Sequence, residues 1–123
     1  MAKILIVDDD KLVTDLLEKL LKADGFDAVA VNDSSKAVDT AKAESPDLIL
    51  LDLMMPQPDG FRVCRMLREE IDFLRTPIII VTALDDSDSR AVAFGAGAND
   101  YITKPFHPNE LIERINEQLN GAE

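Results

Sequence analysis

Acidic residues stand directly behind two apolar runs of the sequence, and together they could bind a cation. The stretch IVDDDKL carries Asp8, Asp9 and Asp10 in a row. Asp52 follows the run LILL. Two carboxylates about 4 Å apart repel by about 4 kcal/mol at an effective dielectric of about 20. A hard divalent cation relieves that repulsion, and carboxylates with water are ligands that suit Mg²⁺. The pattern therefore predicts a magnesium site if the two segments meet.

A hydroxyl and an ammonium follow two further apolar runs. Thr82 comes after IIIV, and Lys104 comes after YIT and is fixed before Pro105. Strand ends are often polar because loops are polar, but that does not account for the whole set. A metal beside a carboxylate, faced by a hydroxyl and an amine, suits phosphoryl transfer. The metal and the lysine would neutralise phosphoryl oxygens while the carboxylate attacks phosphorus.

These residues lie together only if the intervening elements form one sheet. The apolar runs predict strands at residues 3–7, 27–31, 47–51, 77–81 and 100–103. The segments between and after them predict helices at residues 11–23, 34–44, 59–71, 85–96 and 108 to about 119. This alternation, with near-continuous aliphatic strands, predicts a doubly wound α/β fold with a parallel sheet covered on both faces. Such folds bind ligands outside the carboxyl ends of their strands. Asn32 and Asp33 are set aside, because an outer strand can lie away from that crevice.

Composition narrows the class of partner and the compartment. The chain has 123 residues, a length typical of one domain, and a net charge of −11. That charge excludes nonspecific binding to nucleic acid or to an anionic membrane and favours cations and basic protein surfaces. The single cysteine, Cys64, fits the core of a protein in a reducing compartment. No signal peptide or long apolar run is recognisable, so we predict a cytoplasmic protein.

Four segments, in this order and spacing, closely resemble the receiver domain of two-component response regulators. They are ILIVDDD, PDLILLDLMMPQPDGF, PIIIVTA and GANDYITKPF. Each motif alone is modest, but the ordered set is highly specific and covers essentially the whole chain, residues 1–123, as one receiver domain. The resemblance implies a (βα)5 flavodoxin-like fold whose five-stranded parallel sheet has the order 2-1-3-4-5.

The resemblance also assigns roles to individual residues. It implies that Asp52 is the phosphoacceptor, Lys104 the phosphate-contacting ammonium, Thr82 the switch hydroxyl and Tyr101 the aromatic switch. It implies a Mg²⁺ ion held by Asp8 and Asp9, with direct ligands from Asp9, Asp52 and the backbone carbonyl of Met54. It further implies a cis Lys104–Pro105 peptide bond. Asp10 matches a variable position and is interpreted as a helix cap.

The implied function is that of a signalling switch. The phosphate would come from a sensor histidine kinase or a histidine phosphotransfer protein. The chain would not be an enzyme beyond its own phosphorylation and slow autodephosphorylation. The helix 4–strand 5–helix 5 face, within residues 85–119, would change on phosphorylation and meet an output partner or a second copy. No direct contact with nucleic acid or membrane is expected.

Two apolar residues suggest a long-lived phosphorylated state. In fast members of the family, polar side chains two residues after the phosphoacceptor and two after the switch hydroxyl help to place the hydrolytic water. Met54 and Leu84 stand at these positions here. Neither forms a good hydrogen bond to water, which predicts slow autodephosphorylation.

Three other functions are the alternatives to a signalling switch. An aspartyl phosphatase needs a second acid two residues after the nucleophile, and this sequence has Met54 there. A nucleotide-binding module needs a glycine-rich loop after the first strand, and this sequence has none there. A degenerate receiver, acting as a phosphorylation-independent protein-binding module, would lack an acid or the lysine, whereas this chain keeps them all. No output module is recognisable after residue 120. The sequence leaves open the cognate kinase, the output, the oligomeric state, and whether the chain is a single-domain regulator or part of a longer protein.

Overall fold

Five parallel strands form one sheet in the order β2-β1-β3-β4-β5, as the sequence predicts. The computed structural model describes residues 1–121. The strands are β1 (Lys3–Val7), β2 (Asp27–Val31), β3 (Leu48–Leu51), β4 (Ile78–Thr82) and β5 (Asp100–Thr103). The α-helices are α1 (Lys11–Ala23), α2 (Ala37–Glu44), α3 (Gly60–Glu69), α4 (Ser87–Gly95) and α5 (Pro108–Gly121). The predicted doubly wound, flavodoxin-like fold is confirmed.

The sheet is buried on both faces, which explains why its strands read as continuous aliphatic runs. Alternate residues of each strand point to opposite faces. Leu5, Ile49 and Ile80 face α2, α3 and α4. Ile6, Leu50 and Val81 face α1 and α5. Because both faces are covered by helices, a strand position that would be polar in a half-exposed sheet is apolar here.

Aspartate caps fix where helices α1 and α3 begin. Asp10 caps α1 by accepting a hydrogen bond from the Leu12 N–H at 3.0 Å. Asp59 caps α3 by accepting from the Arg62 N–H at 3.0 Å. Both caps match the predicted helix starts. None of the helices within residues 1–121 is long and apolar enough to cross a membrane.

The helix predicted at residues 85–96 is shorter in the structure, spanning Ser87–Gly95, and two other helices are also shorter than their sequence patterns predict. The segment 34–44 begins as a 3₁₀ turn, Ser34–Lys36, before α2, and the segment 59–71 leaves the α-helix after Glu69. The early end of α3 has a clear cause. The Arg68 guanidinium donates to the carbonyl oxygens of Phe73 and Thr76, and to Gly97 at 3.0 Å. These bonds draw the chain back against α3, so the helix cannot continue.

Candidate functional site

Three carboxylates meet at the carboxyl edge of the sheet. Asp8 follows β1 and Asp52 follows β3, and these strands are neighbours in register, with Val7 opposite Leu51. The Asp52 N–H donates to the Val7 carbonyl at 3.0 Å, which fixes the start of the loop that carries Asp52. One carboxylate oxygen from each of Asp8, Asp9 and Asp52 lies within 4.8 Å of the others. Asp8 and Asp52 are only 3% and 6% exposed, whereas Asp9 is open to solvent.

One lysine ammonium joins two of these carboxylates. Lys104 Nζ lies 2.8 Å from Asp8 Oδ2 and 3.2 Å from Asp52 Oδ2. The loop that carries Lys104 is tied to the neighbouring strand, because the Lys104 N–H donates to the Thr82 carbonyl at 2.7 Å. The Lys104–Pro105 peptide is cis, as predicted. The lysine therefore reaches Asp52 from two strands away and Asp8 from three strands away, and it neutralises part of their charge.

Burial and ion pairing act against each other on this pair. Burial raises the pKa of the Asp8 carboxyl, although the Lys104 ammonium and the Asp10 N–H oppose that rise. Burial alone would lower the pKa of Lys104. The hydrogen bond to Asp8 and the charge of Asp52 outweigh it, so the pKa of Lys104 is raised. The lysine is consequently held in its charged form at neutral pH.

The donor set fits a magnesium ion. Three carboxylates face one ammonium, so negative charge remains in excess at a partly buried site. The ligand atoms that these acids offer are all carboxylate oxygens. Asp9 is exposed, so the site is open to water ligands, which Mg²⁺ retains in proteins. The Met54 N–H donates to Asp52 Oδ1 at 3.1 Å. The Met54 carbonyl remains a predicted ligand.

The two predicted switch residues lie on neighbouring strands and meet through one loop residue. Thr82 is fully buried at the end of β4, and the Leu84 N–H lies 3.5 Å from its hydroxyl oxygen. Tyr101, on β5, is 3% exposed and donates its hydroxyl to the Leu84 carbonyl at 2.7 Å. Burial raises the pKa of the Tyr101 phenol, and the positive charge of Arg90 opposes the rise. Tyr101 is therefore buried, with its hydroxyl bonded to the loop after β4.

Two supporting residues were missed at the sequence level. Asn32 follows β2, an outer strand that can lie away from the crevice. Its Nδ2 in fact donates to the Asp8 carbonyl at 2.9 Å and to Thr14 Oγ1 at 3.0 Å. The predicted order, with β2 beside β1, was the signal that could have identified it. Gly60 is the second, because a Cβ there would lie 2.1 Å from the Asp52 carbonyl oxygen.

Comparisons with known proteins agree with this geometry. A family model described as "Response regulator receiver domain" matches residues 4–116. A response regulator from Chloroflexus aurantiacus is 34% identical, with a TM-score of 0.91, over 97% of this chain and 98% of that one. The BeF3-activated N-terminal receiver domain of RstA from Klebsiella pneumoniae is 35% identical, with a TM-score of 0.89, over 95% and 97% of the two chains.

A third similar structure contains a metal. It is the receiver domain of a sensor histidine kinase from Pseudomonas aeruginosa, with a magnesium ion coordinated in its active-site cleft. It is 32% identical to this chain, with a TM-score of 0.89, and the match covers 97% of this chain and 98% of that one.

The close approach of α3 to the site yields a first prediction. Gly60→Ala should lower the free energy of unfolding by about 1–3 kcal/mol, because the new methyl group meets backbone atoms that cannot rotate away. Urea denaturation measures the change. The matched control is Gly95→Ala in α4, where an added Cβ meets nothing within 4 Å. It should leave stability unchanged or raise it by up to about 1 kcal/mol. Equal effects of the two substitutions would contradict the steric argument.

Proposed function

Because the chain belongs to the response regulator receiver family, we propose that it is a phosphoacceptor domain in which Asp52 takes a phosphoryl group with the help of Mg²⁺. The observation that carries this proposal is the approach of three carboxylates to within 4.8 Å, with the Lys104 ammonium against two of them. Asp9, Asp52 and the Met54 carbonyl would hold the ion, with Asp8 beside them. When bound, Mg²⁺ supplies positive charge that offsets the charge of the phosphoryl oxygens.

The residues of the chain perform the transfer itself. A carboxylate oxygen of Asp52 attacks phosphorus and forms the O–P bond of an acyl phosphate. The P–N bond of a phosphohistidine breaks, and the imidazole leaves with its electron pair and takes one proton from solvent. With acetyl phosphate, a P–O bond breaks and acetate leaves. Lys104, 3.2 Å from the attacking carboxylate, stabilises the charge on the phosphoryl oxygens.

Phosphorylation of Asp52 is the direct test. Treatment with acetyl phosphate and Mg²⁺ should add one phosphoryl group, detected by intact-mass spectrometry, and Asp52→Asn should abolish it. Asp72→Asn, at an exposed acid outside the cluster, is the control and should label normally. Labelling that survives Asp52→Asn, or that proceeds without a divalent metal, refutes the assignment. Failure of every donor to label the native chain would instead favour a phosphorylation-independent binding module.

An apolar groove beside the site suggests where the phosphodonor docks. The groove, about 280 Å³ in volume, lies between α1 and the loop that joins β5 to α5. Leu16, Leu20 and Phe106 contribute to its lining, and Leu16 is 64% exposed. Lys104 lines the groove and also contacts Asp52, so a partner seated there is adjacent to the acceptor. We assign this surface to a histidine kinase or histidine phosphotransfer protein.

This docking surface can be tested separately from the chemistry. Leu16→Glu should slow transfer from a phosphorylated histidine phosphotransfer protein roughly tenfold or more, the effect of losing about 1.4 kcal/mol of docking energy. Labelling by acetyl phosphate should not change, because that donor needs no protein surface. Ile71→Glu is the matched control, since Ile71 is apolar, 82% exposed and not part of the groove lining. Equal loss with both donors would show that the substitution disturbs the site rather than docking.

The output step would use the switch residues Thr82 and Tyr101, together with Leu84, which contacts both of them. The aspartyl phosphate carries about two negative charges in place of the single charge of the carboxylate, and it adds acceptor oxygens that attract the Thr82 hydroxyl. That movement would alter the contacts through which Leu84 meets Thr82 and Tyr101. The face formed by α4, β5 and α5, within residues 85–119, would change its population of conformers and bind an output partner or a second copy.

The lifetime of the phosphorylated state depends on which groups can position water. Met54 is 54% exposed, and Leu84 is half-buried in the loop after β4. Neither side chain provides a hydrogen-bonding group for a water molecule in line with phosphorus. We propose that autodephosphorylation is slow and that the signal persists until a phosphatase or reverse transfer removes it.

Polar side chains introduced at positions 54 and 84 should shorten the lifetime of the phosphorylated state. The double variant Met54→Asn, Leu84→Glu should lose its phosphoryl group faster after donor removal. The rate should rise about tenfold for each 1.4 kcal/mol by which a better-positioned water lowers the activation free energy of hydrolysis. Time-resolved phosphoprotein gels measure the decay. The control is Ile71→Asn, Leu74→Glu, which makes the same kinds of change at two exposed positions away from the acidic cluster. A decay rate equal to that of the native protein would exclude these positions as determinants of the lifetime.

The domain boundaries and compartment are part of the same proposal. We take residues 1–123 as one receiver domain, supported by the two core clusters that pack on opposite faces of a single sheet. A cytoplasmic location is supported by the lone, buried Cys64, which suits a reducing compartment.

A further inference from the structure

The Tyr101 ring is held from its outer side by an arginine of the neighbouring helix. The guanidinium carbon of Arg90, in α4, lies 4.5 Å from the centre of the Tyr101 ring, within the range of a cation–π contact. Phe94, one turn further along α4, lies with its ring centre 6.4 Å from that of Tyr101, at an interplanar angle of 38°. Two side chains of α4 therefore contact a residue that belongs to β5.

Arg90 contacts the ring although several acids are close in sequence. Asp85, Asp86 and Asp88 all lie within five residues of it. Within residues 1–121, Arg90 makes no salt bridge with any of them. The carboxylate of Asp86 is already engaged, because it accepts from the N–H of Ser89 at 2.9 Å and from its hydroxyl at 2.8 Å. The aromatic face is consequently the contact that fixes the guanidinium.

The opposite end of the tyrosine is fixed by the loop that leads toward the acidic site. Its hydroxyl donates to the Leu84 carbonyl at 2.7 Å, and the Leu84 N–H lies 3.5 Å from Thr82 Oγ1. The ring is thus held between a hydrogen bond at its tip and a cation on its face. It cannot turn toward solvent without losing both contacts.

We infer that Arg90 is a positioning residue that holds the Tyr101 ring in its buried place and thereby couples α4 to the loop at Leu84. Its guanidinium supplies positive charge to the electron-rich face of the ring and covers it from water. The consequence for signalling rests on the proposed function, whereas the position of the ring does not. A partner that drew Arg90 away with a carboxylate of its own would release the ring.

The composition of the chain makes the ring directly observable. Tyr101 is the single tyrosine, and there is no tryptophan, so intrinsic tyrosine fluorescence reports on this ring alone. Quenching by acrylamide measures how often the ring is exposed, and because acrylamide is neutral its local concentration does not depend on the charge of residue 90. The measurement is made on the full chain without a phosphodonor, so its outcome is independent of whether Asp52 accepts phosphate.

Three variants separate the charge from the bulk of the side chain. Arg90→Met keeps an apolar stem over the ring but removes the cation, and should raise the acrylamide quenching constant about two- to fivefold, as expected for loss of a cation–π contact. Arg90→Lys restores a cation and should return most of the protection. Arg65→Met, at an exposed position of α3, is the control and should match the native protein. The inference is overturned if Arg90→Met is quenched no more than the native chain, or if Arg90→Lys is quenched as much as Arg90→Met.

Discussion

Repulsion among three carboxylates at one edge of the sheet is the constraint on which the rest of the structure depends. Asp8, Asp9 and Asp52 lie close together while the only ammonium contacting Asp8 and Asp52 in the described part of the chain is that of Lys104. The repulsion among these acids opposes folding, so the backbone has to hold them together against it. The parallel pairing of β1 with β3 provides that restraint, because both acids follow directly from buried aliphatic strands. The hydrophobic core therefore stabilises a charge distribution that would otherwise disperse.

The three consecutive aspartates have three different tasks. Asp8 is buried and bonded to Lys104, and Asp9 is exposed at the edge of the cluster. Asp10 caps α1 with its side chain while its N–H donates to Asp8 Oδ1 at 2.9 Å. Asp10 turns to the start of α1, whereas Asp8 and Asp9 stay together in the cluster, where the Lys104 ammonium offsets part of their charge.

Most of the fold, and the residues of the cluster, could be predicted from local patterns. Aliphatic runs identify strands that are buried on both faces, and the residue after each run identifies the site, including Asp52 and Lys104. The contacts of Asn32 and Gly60 could not be predicted in this way, because each depends on how distant segments approach one another. The same holds for Arg68, which shortens α3 through carbonyls that follow it in the chain. Periodicity describes which face of an element is buried, but not which particular atoms it meets.

Asp10 connects the acidic segment rigidly to α1, because its N–H donates to Asp8 while its side chain caps the helix. The helix that lines the apolar groove begins at the very next residue, so no flexible linker separates the groove from the carboxylates. If the phosphodonor binds this groove, as proposed, the rigid start of α1 sets its position relative to the acids. The entropy of searching for that alignment has already been lost during folding, and the encounter need not lose it again.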